Sequence, residues 1–520
     1  MHSRQAFVVP LPIMLALLTL VALLVSVPAF PATYVVDPGG DNANSGDSTA
    51  PWRTIQHAAA VASAGDTVLI RAGTYSESVT LMHSGEEGKP IVFTAESGAV
   101  LLSPDPTASR EAFSVLPGVG FITLSGIEAT GGFAETIFLR SGAHDIQIDG
   151  CNLYGNRVGI LMADAFNVTV RACALHNNTY IGMRLAGTTH DVLVTDTESF
   201  RNGTPSYCSA RVDGIAASPA VFNMTFLRTR VYDNGGDGFD LKGEQAVFDQ
   251  VSSFGNACTG IKIWQSASIS QCLIVQNGLA GLAVTSLKGG STVDITNCTV
   301  AANRSVQINL HRASIVGAVY SVNLLNNVVA GDYKAVQGDS TVIFSESHNI
   351  FYRPNSYGMV LSAIGGRRFS GHDINVGLWS QLSGQGEGTL AVDPQFVDAA
   401  RGDFHVGPNS AAVGRGQSQN GAVNIGVYQN PSGPTNHTPW ADAGRNPRGR
   451  TDRGVRFSAA GSLDPDGDAL TYSWDFGDGS APVLGFEVSH AFPAPNVYLV
   501  TLTVCDGSLS HSKTIQAFIY

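Results

Sequence analysis

Val251-Ser-Ser-Phe-Gly-Asn256 and, one step along the chain, Cys272-Leu-Ile-Val-Gln-Asn277 are two copies of one repeat. In each copy a short apolar segment ends at an asparagine, and a glycine then opens a second segment such as Gly260-Ile-Lys-Ile263. The asparagine recurs at Asn156, Asn178, Asn202, Asn234, Asn256, Asn277 and Asn303. The steps are 21 to 26 residues long except for one of 32, from Asn202 to Asn234.

A repeat of this length cannot bury its own apolar face, so neighbouring copies must stack. Two or three short strands per copy then build a right-handed parallel β-helix, with strands about 4.8 Å apart along its axis. We expect the asparagines to form an interior ladder, in which each side-chain amide bonds to the next coil. A second column lies five residues earlier, at Cys151, Cys173, Thr197, Thr229, Val251, Cys272 and Cys298. Leucine-rich repeats need a leucine scaffold that is absent, and propeller blades need periods of about 40 residues.

The composition agrees with an all-β fold and limits the function. Only 14% of the 520 residues are charged, 58 are glycine, and the net charge is −12. This charge argues against binding to nucleic acid or to anionic membranes by bulk electrostatics. Four of the seven cysteines lie in the second column, which favours buried thiols over a disulfide framework. The sequence leaves open whether Cys208 and Cys258, near the candidate site, form a disulfide.

The first residues predict export. Residues 1–32 contain Arg4 and an apolar run from Ile13 to Val27, which is typical of a cleaved secretory signal. The run is short for a membrane anchor. We therefore expect a secreted, extracellular protein that has no membrane contact after cleavage and acts as a monomer.

Residues 33–429 form the predicted β-helix domain. A helix over 52–63 is expected to cover its first coil, because an open sheet edge needs protection. The coils weaken after about residue 330, and the fold of 333–392 stays open. Residues 393–428 are expected to close the other end of the solenoid.

A linker over 430–437 leads to a C-terminal module over 438–520. Alternating apolar residues and Asp-Gly turns predict a small immunoglobulin-like β-sandwich. Trp474-Asp-Phe-Gly-Asp-Gly479 resembles the most specific stretch of the polycystic-kidney-disease (PKD) repeat. The resemblance implies spacing or substrate adhesion rather than catalysis. The acids of one turn, Asp464, Asp466 and Asp468, are more typical of a solvated turn than of a calcium site.

The repeat places several charged residues on one surface. Two residues after the strand-opening glycine come Leu161, Arg184, Ala216, Asp240, Lys262 and Ala283. Because their neighbours are apolar and face inward, Arg184, Asp240 and Lys262 face outward by strand alternation. The same surface holds four further residues, Asp213, Asp237, Lys242 and Trp264. The insertion of about nine residues in the long step, near 203–211, is expected to overhang this surface.

These residue types suit an elimination reaction on a uronic acid polymer. Asp213, Asp237 and Asp240 offer carboxylate oxygens to one Ca²⁺, which would act as a Lewis acid on a substrate carboxylate. Lys262 is the candidate base for the proton next to that carboxylate, provided that nearby cations lower its pKa. The candidate substrate-binding residues are Arg184 or Lys242 for a second carboxylate and Trp264 for a sugar face.

The segments Val212-Asp213-Gly214, Gly236-Asp237-Gly-Phe-Asp240 and Gly260-Ile-Lys262 resemble the signature of family nine polysaccharide lyases. The resemblance covers about 34–428 in architecture and implies a calcium-dependent pectate lyase with a lysine base. It assigns calcium to Asp213, Asp237 and Asp240, and the base to Lys262. The family pattern has an acid directly before the second aspartate, where this sequence has Gly236, so one calcium ligand is missing.

Three functions fit these residues. The first is a calcium-dependent lyase that cleaves a polyuronate, with pectate as the expected substrate. The second is a non-catalytic carbohydrate-binding or adhesive β-helix, which Gly236 favours. The third is another uronan enzyme, such as an alginate lyase or C5-epimerase, because proton abstraction is shared. The carboxylate clusters that glycoside hydrolysis needs are not found. Since the net charge is −12, local cations must offset it for an acidic polysaccharide to bind.

Overall fold

The computed structural model describes residues 31–105, 110–203, 208, 212–285, 289–311, 319–339, 341–354, 359–364, 367–418, 423–428, 439, 441–444, 446–451, 453–460, 462, 464 and 469–520. Residues 1–30 of the predicted signal lie outside these ranges, as do the linker over 430–437, Asp466 and Asp468. In the described part of the chain, no helix is both long and apolar enough to cross a membrane.

Three sheets wind around one apolar core, with strands numbered along the chain. Sheet A contains β1 (Thr33–Val36), β2 (Thr67–Ile70), β5 (Ile91–Ala95), β8 (Gly120–Ser125), β11 (His144–Asp149), β14 (Phe166–Arg171), β17 (His190–Thr195), β20 (Phe222–Leu227), β23 (Glu244–Asp249), β26 (Ala267–Ser270), β29 (Thr292–Thr296), β32 (Tyr320–Leu325) and β35 (Val342–Ser347). Sheet B contains β3 (Gly73–Ser76), β6 (Ala99–Leu102), β9 (Glu128–Thr130), β12 (Asn152–Tyr154), β15 (Ala174–His176), β18 (Glu198–Phe200), β21 (Arg230–Tyr232), β24 (Ser252–Phe254), β27 (Leu273–Val275), β30 (Thr299–Ala301), β33 (Val328–Ala330) and β36 (Ile350–Tyr352).

Sheet C contains β4 (Val79–Leu81), β7 (Phe113–Val115), β10 (Glu135–Leu139), β13 (Val158–Ala163), β16 (Ile181–Ala186), β19 (Ile215–Ala217), β22 (Phe239–Leu241), β25 (Ile261–Ile263), β28 (Leu282–Val284), β31 (Ile308–Leu310), β34 (Val336–Gln337), β37 (Met359–Ile364) and β38 (Arg367–Ser370). Neighbouring strands of each sheet are parallel and come from successive coils, except that β38 runs back antiparallel to β37. The right-handed parallel β-helix predicted from the repeat is therefore confirmed.

The asparagines form the predicted ladder between sheets B and C. The Nδ2 of Asn178 donates to the Oδ1 of Asn202 over 3.0 Å, and bonds of 2.9 to 3.0 Å continue the series to Asn303. The backbone N–H of each of these asparagines also donates to the side-chain oxygen of the next one. Gln307 ends the ladder by accepting a bond from Asn303. The polar groups of this corner are thus satisfied inside the core, where an unpaired one costs about 1–3 kcal/mol.

The corner between sheets A and B has a constant length. From β8 onward, two residues separate each strand of sheet A from the following strand of sheet B. The first of them has a positive φ, such as 52° at Ala172 and 55° at Gln250. The second points inward and forms another ladder, in which the N–H of Cys151 donates to the Sγ of Cys173. The four cysteines of this column are free, buried thiols, as predicted.

The two ends of the solenoid differ from the sequence expectation. Helix α1 (Ile55–Val61) is shorter than 52–63 because Thr54 caps it by accepting the N–H of His57. The coils do not fade after residue 330 but continue to β37, so most of 333–392 belongs to the solenoid and its cover. Helices α2 (Gly371–Asn375) and α3 (Leu378–Ser383) close this end, where the α3 residue Trp379 donates to the buried Glu346 over 2.6 Å.

The segment over 393–428 covers the side of sheet B rather than the end of the solenoid, which corrects the sequence expectation. It contains β39 (Phe396–Asp398), a 3-10 turn (Ala399–Arg401) and β40 (Asp403–Val406). Its buried residues Phe404, Ala412 and Ile425 pack on the outer face of β27, β30, β33 and β36. The outward positions of these strands are apolar, which is why they need a cover.

The C-terminal domain is the predicted two-sheet β-sandwich. Its strands are β41 (Arg448–Gly449), β42 (Val455–Ser458), β43 (Thr471–Asp475), β44 (Val483–Leu484), β45 (Glu487–His490), β46 (Asn496–Cys505) and β47 (Ser510–Ile519). One sheet has the order β41-β47-β46-β43-β44, and β42 pairs with β45 in the other. Trp474, Phe476 and Phe492 fill the core between them.

This domain packs on an aromatic stack that projects from sheet B. The stack consists of Tyr154, His176, Phe200, Tyr232 and Phe254, with ring centroids 4.7 to 5.1 Å apart. The Nζ of Lys513 on β47 lies 5.0 Å from the ring of Phe200 and 3.4 Å from the carboxylate of Glu198. Arg201 donates to the backbone oxygen of Gly444 over 3.3 Å. Phe200, Tyr232 and Glu198 are consequently buried.

Candidate functional site

The outer face of sheet C carries the column that the repeat predicts. Asp240 on β22 pairs in register with Lys262 on β25, and Lys262 pairs with Ala283 on β28. Phe239, Leu241, Ile261 and Ile263 point into the core from the same strands. Strand alternation therefore holds Asp240 and Lys262 side by side on the outer face.

Lys262 lies between two aspartates of the preceding coil. Its Nζ is 3.3 Å from the Oδ2 of Asp237 and 3.9 Å from the Oδ1 of Asp240. Lys242 binds the other oxygen of Asp240 at 2.5 Å. Trp264 donates its indole N–H to Asp240 over 2.6 Å, and its ring centroid lies 5.5 and 5.2 Å from the ammonium groups of Lys242 and Lys262. The two lysines, two aspartates and the tryptophan form one compact charged cluster.

Asp213 and Asp237 each bind the backbone of the following coil. The N–H of Asp237 donates to the Oδ1 of Asp213 over 2.9 Å, and the N–H of Thr259 donates to the Oδ1 of Asp237 over 2.8 Å. Burial, together with the charge of Asp237, raises the pKa of Asp213 to about 7. Burial also raises the pKa of Asp237, although Lys262 partly offsets it. Each of these two aspartates therefore bonds to the backbone of the next coil, and Asp237 also belongs to the charged cluster.

Protein donors contact all three aspartates in this arrangement. Among the described residues, no group of three or more His, Cys, Asp or Glu side chains is placed to hold a metal ion. Ammonium groups contact the outward oxygens of Asp237 and Asp240, and backbone N–H groups bind Asp213 and Asp237. Calcium binding at these residues therefore stays a prediction.

The expected lowering of the pKa of Lys262 is not found. Burial lowers it, but the carboxylates of Asp237 and Asp240 outweigh burial and raise the pKa above its usual value. The reason is geometric, because the nearest charged groups to Lys262 are acids rather than cations. In this arrangement Lys262 is an ammonium group at neutral pH.

Arg184 lies on the same column but outside the cluster. It pairs with Ala216, which pairs with Asp240, so two strand spacings of about 4.8 Å separate Arg184 from Asp240.

Two further outward residues were missed by the sequence analysis. Asn309 follows Ala283 in the column, and His311 takes the next outward position. The Nδ2 of Asn309 lies 3.1 Å from the Nε2 of His311. Burial lowers the pKa of His311, and the charge of Lys262 adds to this effect. Following the column one coil beyond Ala283 would have found them.

A disulfide between Cys208 and Cys258 anchors the long coil beside the cluster. Cys258 directly precedes Thr259, and its N–H donates to the backbone oxygen of Gly236 over 2.9 Å. The sequence left this pairing open. Most of 203–211 lies outside the described residues, so the overhang of this segment stays a prediction.

Replacing both Cys208 and Cys258 by serine is expected to destabilise the β-helix domain by about 2–4 kcal/mol. The disulfide closes a loop with a sequence separation of 50, which restricts the unfolded chain. Urea unfolding would measure the difference. Cys505→Ser, at a partly buried free cysteine of the other domain, is the matched control. Equal stability of the double variant and the control would contradict the expectation.

The stacked coils and the charged column define a β-helix of the polysaccharide-lyase-like class. The chain belongs to the family described as Pel9A-like, right-handed β-helix region, whose family model matches residues 34–310. Residues 436–519 match a PKD domain, in agreement with the resemblance found in the sequence. The chain is a distant homologue of pectate lyases.

The curated relatives cover only part of the chain. It is 33% identical over 143 residues to the uncharacterized protein YwoF of Bacillus subtilis, which is 27% of this chain and 26% of that protein. It is 27% identical over 221 residues to pectate lyase PEL9 of Emericella nidulans, which is 41% and 51% of the two chains. Pectate lyase L of Dickeya chrysanthemi is 24% identical over 252 residues, 46% and 53% of the two chains. The chain thus spans about half the length of these two pectate lyases.

Among solved structures, the crystal structure of pectate lyase Pel9A is 20% identical. The alignment covers 77% of this chain and 96% of that chain with a TM-score of 0.49.

Proposed function

We propose that the protein is a secreted polysaccharide lyase that cleaves a polyuronate, with pectate as the first candidate, by β-elimination. The observation that carries this proposal is the position of Lys262, which faces outward from sheet C with Lys242 and Trp264 beside it. Membership of the Pel9A-like family supports the reaction class, and the pectate lyases among the relatives support the substrate class.

In the proposed reaction Lys262 takes the proton from the carbon next to the uronate carboxylate. The released electron pair forms a double bond to the neighbouring carbon, whose bond to the glycosidic oxygen breaks. The leaving oxygen takes a proton from water. Lys242 pairs with this carboxylate and stabilises the negative charge that develops there, while Arg184 pairs with the carboxylate of a more distant sugar. Trp264 stacks on a sugar face.

Lys262 must lose its proton before it can act as the base. Asp237 and Asp240 favour the protonated form of Lys262, so the elimination rate is expected to increase as the pH rises. This requirement makes the aspartates the residues that set when the base becomes active.

Calcium binding by Asp213, Asp237 and Asp240 is a separate part of the proposal. An ion bound there would displace the lysines from Asp237 and Asp240. Saturating Ca²⁺ is then expected to raise the free energy of unfolding, by about 2.7 kcal/mol at 100 times Kd, and EDTA is expected to reverse this. Calorimetry with Ca²⁺, Mg²⁺ or EDTA measures the effect.

Asp213→Asn is the informative variant for calcium, because Asp213 forms no ion pair within the described residues. It should abolish the response to Ca²⁺ while keeping the bond to the N–H of Asp237. Asp294→Asn, on the outer face of sheet A, is the control. If the wild-type protein gives the same unfolding curve with Ca²⁺ and with EDTA, the lysines alone neutralise the charge of the aspartates.

The test of the proposed function is the formation of unsaturated uronide, which absorbs at about 235 nm. The full chain is mixed with polygalacturonate or alginate, with and without Ca²⁺. A rise in absorbance on polygalacturonate supports the pectate assignment, and a rise only on alginate would replace the substrate but keep the reaction. No rise on either polymer under any of these conditions would overturn the lyase proposal.

A second candidate is a non-catalytic carbohydrate-binding β-helix. The pairing of Lys262 with Asp237, together with Gly236, favours it, because a protonated lysine binds carboxylates without abstracting a proton. Binding of polygalacturonate without any product would support this function in place of the lyase.

A further inference from the structure

The C-terminal domain contains a dense run of arginines. Residues 438–520 include only six lysines and arginines, and five of them lie within 445–456. They are Arg445, Arg448, Arg450, Arg453 and Arg456. The rest of this domain is acidic, as is the chain as a whole with its net charge of −12. The positive charge of the domain is therefore concentrated in one place.

The structure gathers four of these arginines around one open groove. The groove has a volume of about 540 Å³ and is lined by Arg448, Arg450, Arg453, Arg456 and Tyr520, among others. Its frame is fixed by the backbone. The N–H of Tyr520 donates to Gly449 over 3.0 Å, and the N–H of Thr451 donates back to Tyr520 over 3.4 Å. The groove lies where the chain passes from β41 to β42, which belong to the two different sheets of the sandwich.

The charge of the groove is uncompensated within the described residues. Several arginines of the β-helix domain pair with acids, as Arg171 does with Asp149 at 2.6 Å and Arg228 with Asp196 at 2.6 Å. No described acid forms an ion pair with the four arginines of the groove, and Arg448 has only the ring of Phe518 at 5.9 Å. All four side chains are exposed. An anion in the groove would be attracted by all four charges, and salt would weaken this attraction because the side chains are exposed.

We propose that this groove binds the carboxylates of an acidic polysaccharide. The inference rests on the proposed function for the class of ligand, but it concerns a second site in a different domain. A guanidinium group matches a carboxylate with two parallel hydrogen bonds, which suits a polymer that presents one carboxylate per sugar. The ring of Tyr520 at the rim is 63% exposed and offers a face for a sugar. Nucleic acid is also a polyanion, so the net charge does not separate the two ligands. The Pel9A-like family of the neighbouring domain favours the polysaccharide, and the DNA duplex in the test below examines the alternative.

A second site on the same chain has a consequence for affinity. A long polymer that occupies both the groove and the column of sheet C binds more tightly than either site alone allows, whereas a short oligomer gains nothing from the second site. The groove would then keep the protein bound to a long or insoluble substrate while the residues on sheet C cleave it. The role is adhesion, and the groove contains no group that is asked to take part in bond cleavage.

The test compares two full-length proteins that both carry Lys262→Ala, so that the polymer stays intact. One also carries Arg450→Gln and Arg453→Gln, and the other carries the matched pair Arg171→Gln and Arg401→Gln at exposed arginines of other surfaces. Affinity electrophoresis and titration calorimetry measure binding to long polygalacturonate, to alginate, to a fully methyl-esterified pectin and to a DNA duplex. The groove variant is expected to bind long polygalacturonate about tenfold more weakly, with a smaller dependence on salt, while the control is unchanged.

Two results would overturn the proposal. One is an affinity for polygalacturonate that the groove changes leave within twofold of the control. The other is binding of DNA or of esterified pectin that is as strong as that of polygalacturonate and equally sensitive to the groove changes. A variant with Arg450→Lys and Arg453→Lys keeps the positive charge. Any loss of affinity for polygalacturonate in this variant is due to the paired hydrogen bonds of the guanidinium groups.

The outcome is separable from that of the lyase assay. If the wild-type protein forms no unsaturated product, the groove is still tested by binding alone. If the groove changes have no effect on binding, the elimination rate on short oligomers still tests Lys262.

Discussion

Replacing Lys262 by alanine is expected to lower the rate of unsaturated uronide formation by about 10²–10⁴-fold, which is the range for loss of a positioned general base. The side chain is partly buried and reaches the cluster from β25, where its backbone is fixed by pairing with β22 and β28. No other described lysine contacts both Asp237 and Asp240. Water therefore has to replace the base, and it is not held by the same contacts. Initial rates at about 235 nm on polygalacturonate measure the loss.

Two companion variants separate the roles of this side chain. Lys262→Arg keeps the positive charge but cannot give up a proton near neutral pH, so it should bind the polymer and still fail to eliminate. Lys89→Ala, at an exposed ion pair with Glu86 far along the chain, should leave the rate unchanged. Rates within threefold of wild type for both Lys262 variants would remove Lys262 from the mechanism.

Replacing Asn234 by leucine is expected to lower the free energy of unfolding of the β-helix domain by about 3–5 kcal/mol. The Nδ2 of Asn234 donates to Asn256 over 2.9 Å and to the backbone oxygen of Ser199 over 3.0 Å. Its Oδ1 accepts the N–H and the Nδ2 of Asn202, both over 3.0 Å. Leucine removes all four bonds and is bulkier than asparagine. The N–H of Asn202 loses its acceptor, whereas the Nδ2 of Asn202 and the Oδ1 of Asn256 each keep another bond. A buried unpaired group costs about 1–3 kcal/mol, and overpacking adds about 1–3 kcal/mol.

Calorimetry is the suitable measurement, because the two domains of one chain need not unfold in one step. The control is Asn323→Leu on the outer face of β32, whose side chain bonds only to Asp294 at 2.7 Å among the described contacts. It should cost less than about 1 kcal/mol. If both variants lowered the temperature of the first unfolding transition equally, the interior ladder would not be the source of the stability assigned to it.

The solenoid could be predicted because one residue type occupies one interior position through seven coils. The prediction failed beyond residue 330 for a physical reason that the structure makes clear. The asparagine ladder ends when Gln307 accepts from Asn303, and the polar role moves to the other corner of the coil. There Asn327 accepts from the N–H of Cys298 and donates to Asn349 over 3.0 Å. The coils continue, but the asparagine that recurs in each coil now lies at the corner between sheets A and B.

The candidate site was predictable in its register and not in its contacts. Strand pairing alone places Asp240 beside Lys262, and the structure has that pairing. The sequence does not reveal that Lys262 lies closer to Asp237, or that Lys242 and Trp264 both bind Asp240. Such contacts depend on side-chain rotamers and on the turn before the strand, which the repeat does not specify. The expected effect of cations on Lys262 failed for the same reason.

The constant corner between sheets A and B has a consequence for how such proteins change during evolution. Two residues at every coil leave no room there for an insertion, since both the positive φ and the inward ladder residue are needed. The other two corners vary in length and both border sheet C. One holds the long coil with Cys208, and the other lengthens between β28 and β29. New loops can therefore be added on either side of the charged column without disturbing the stacking of the coils. The β-helix can acquire a new specificity while the corner between sheets A and B stays the same.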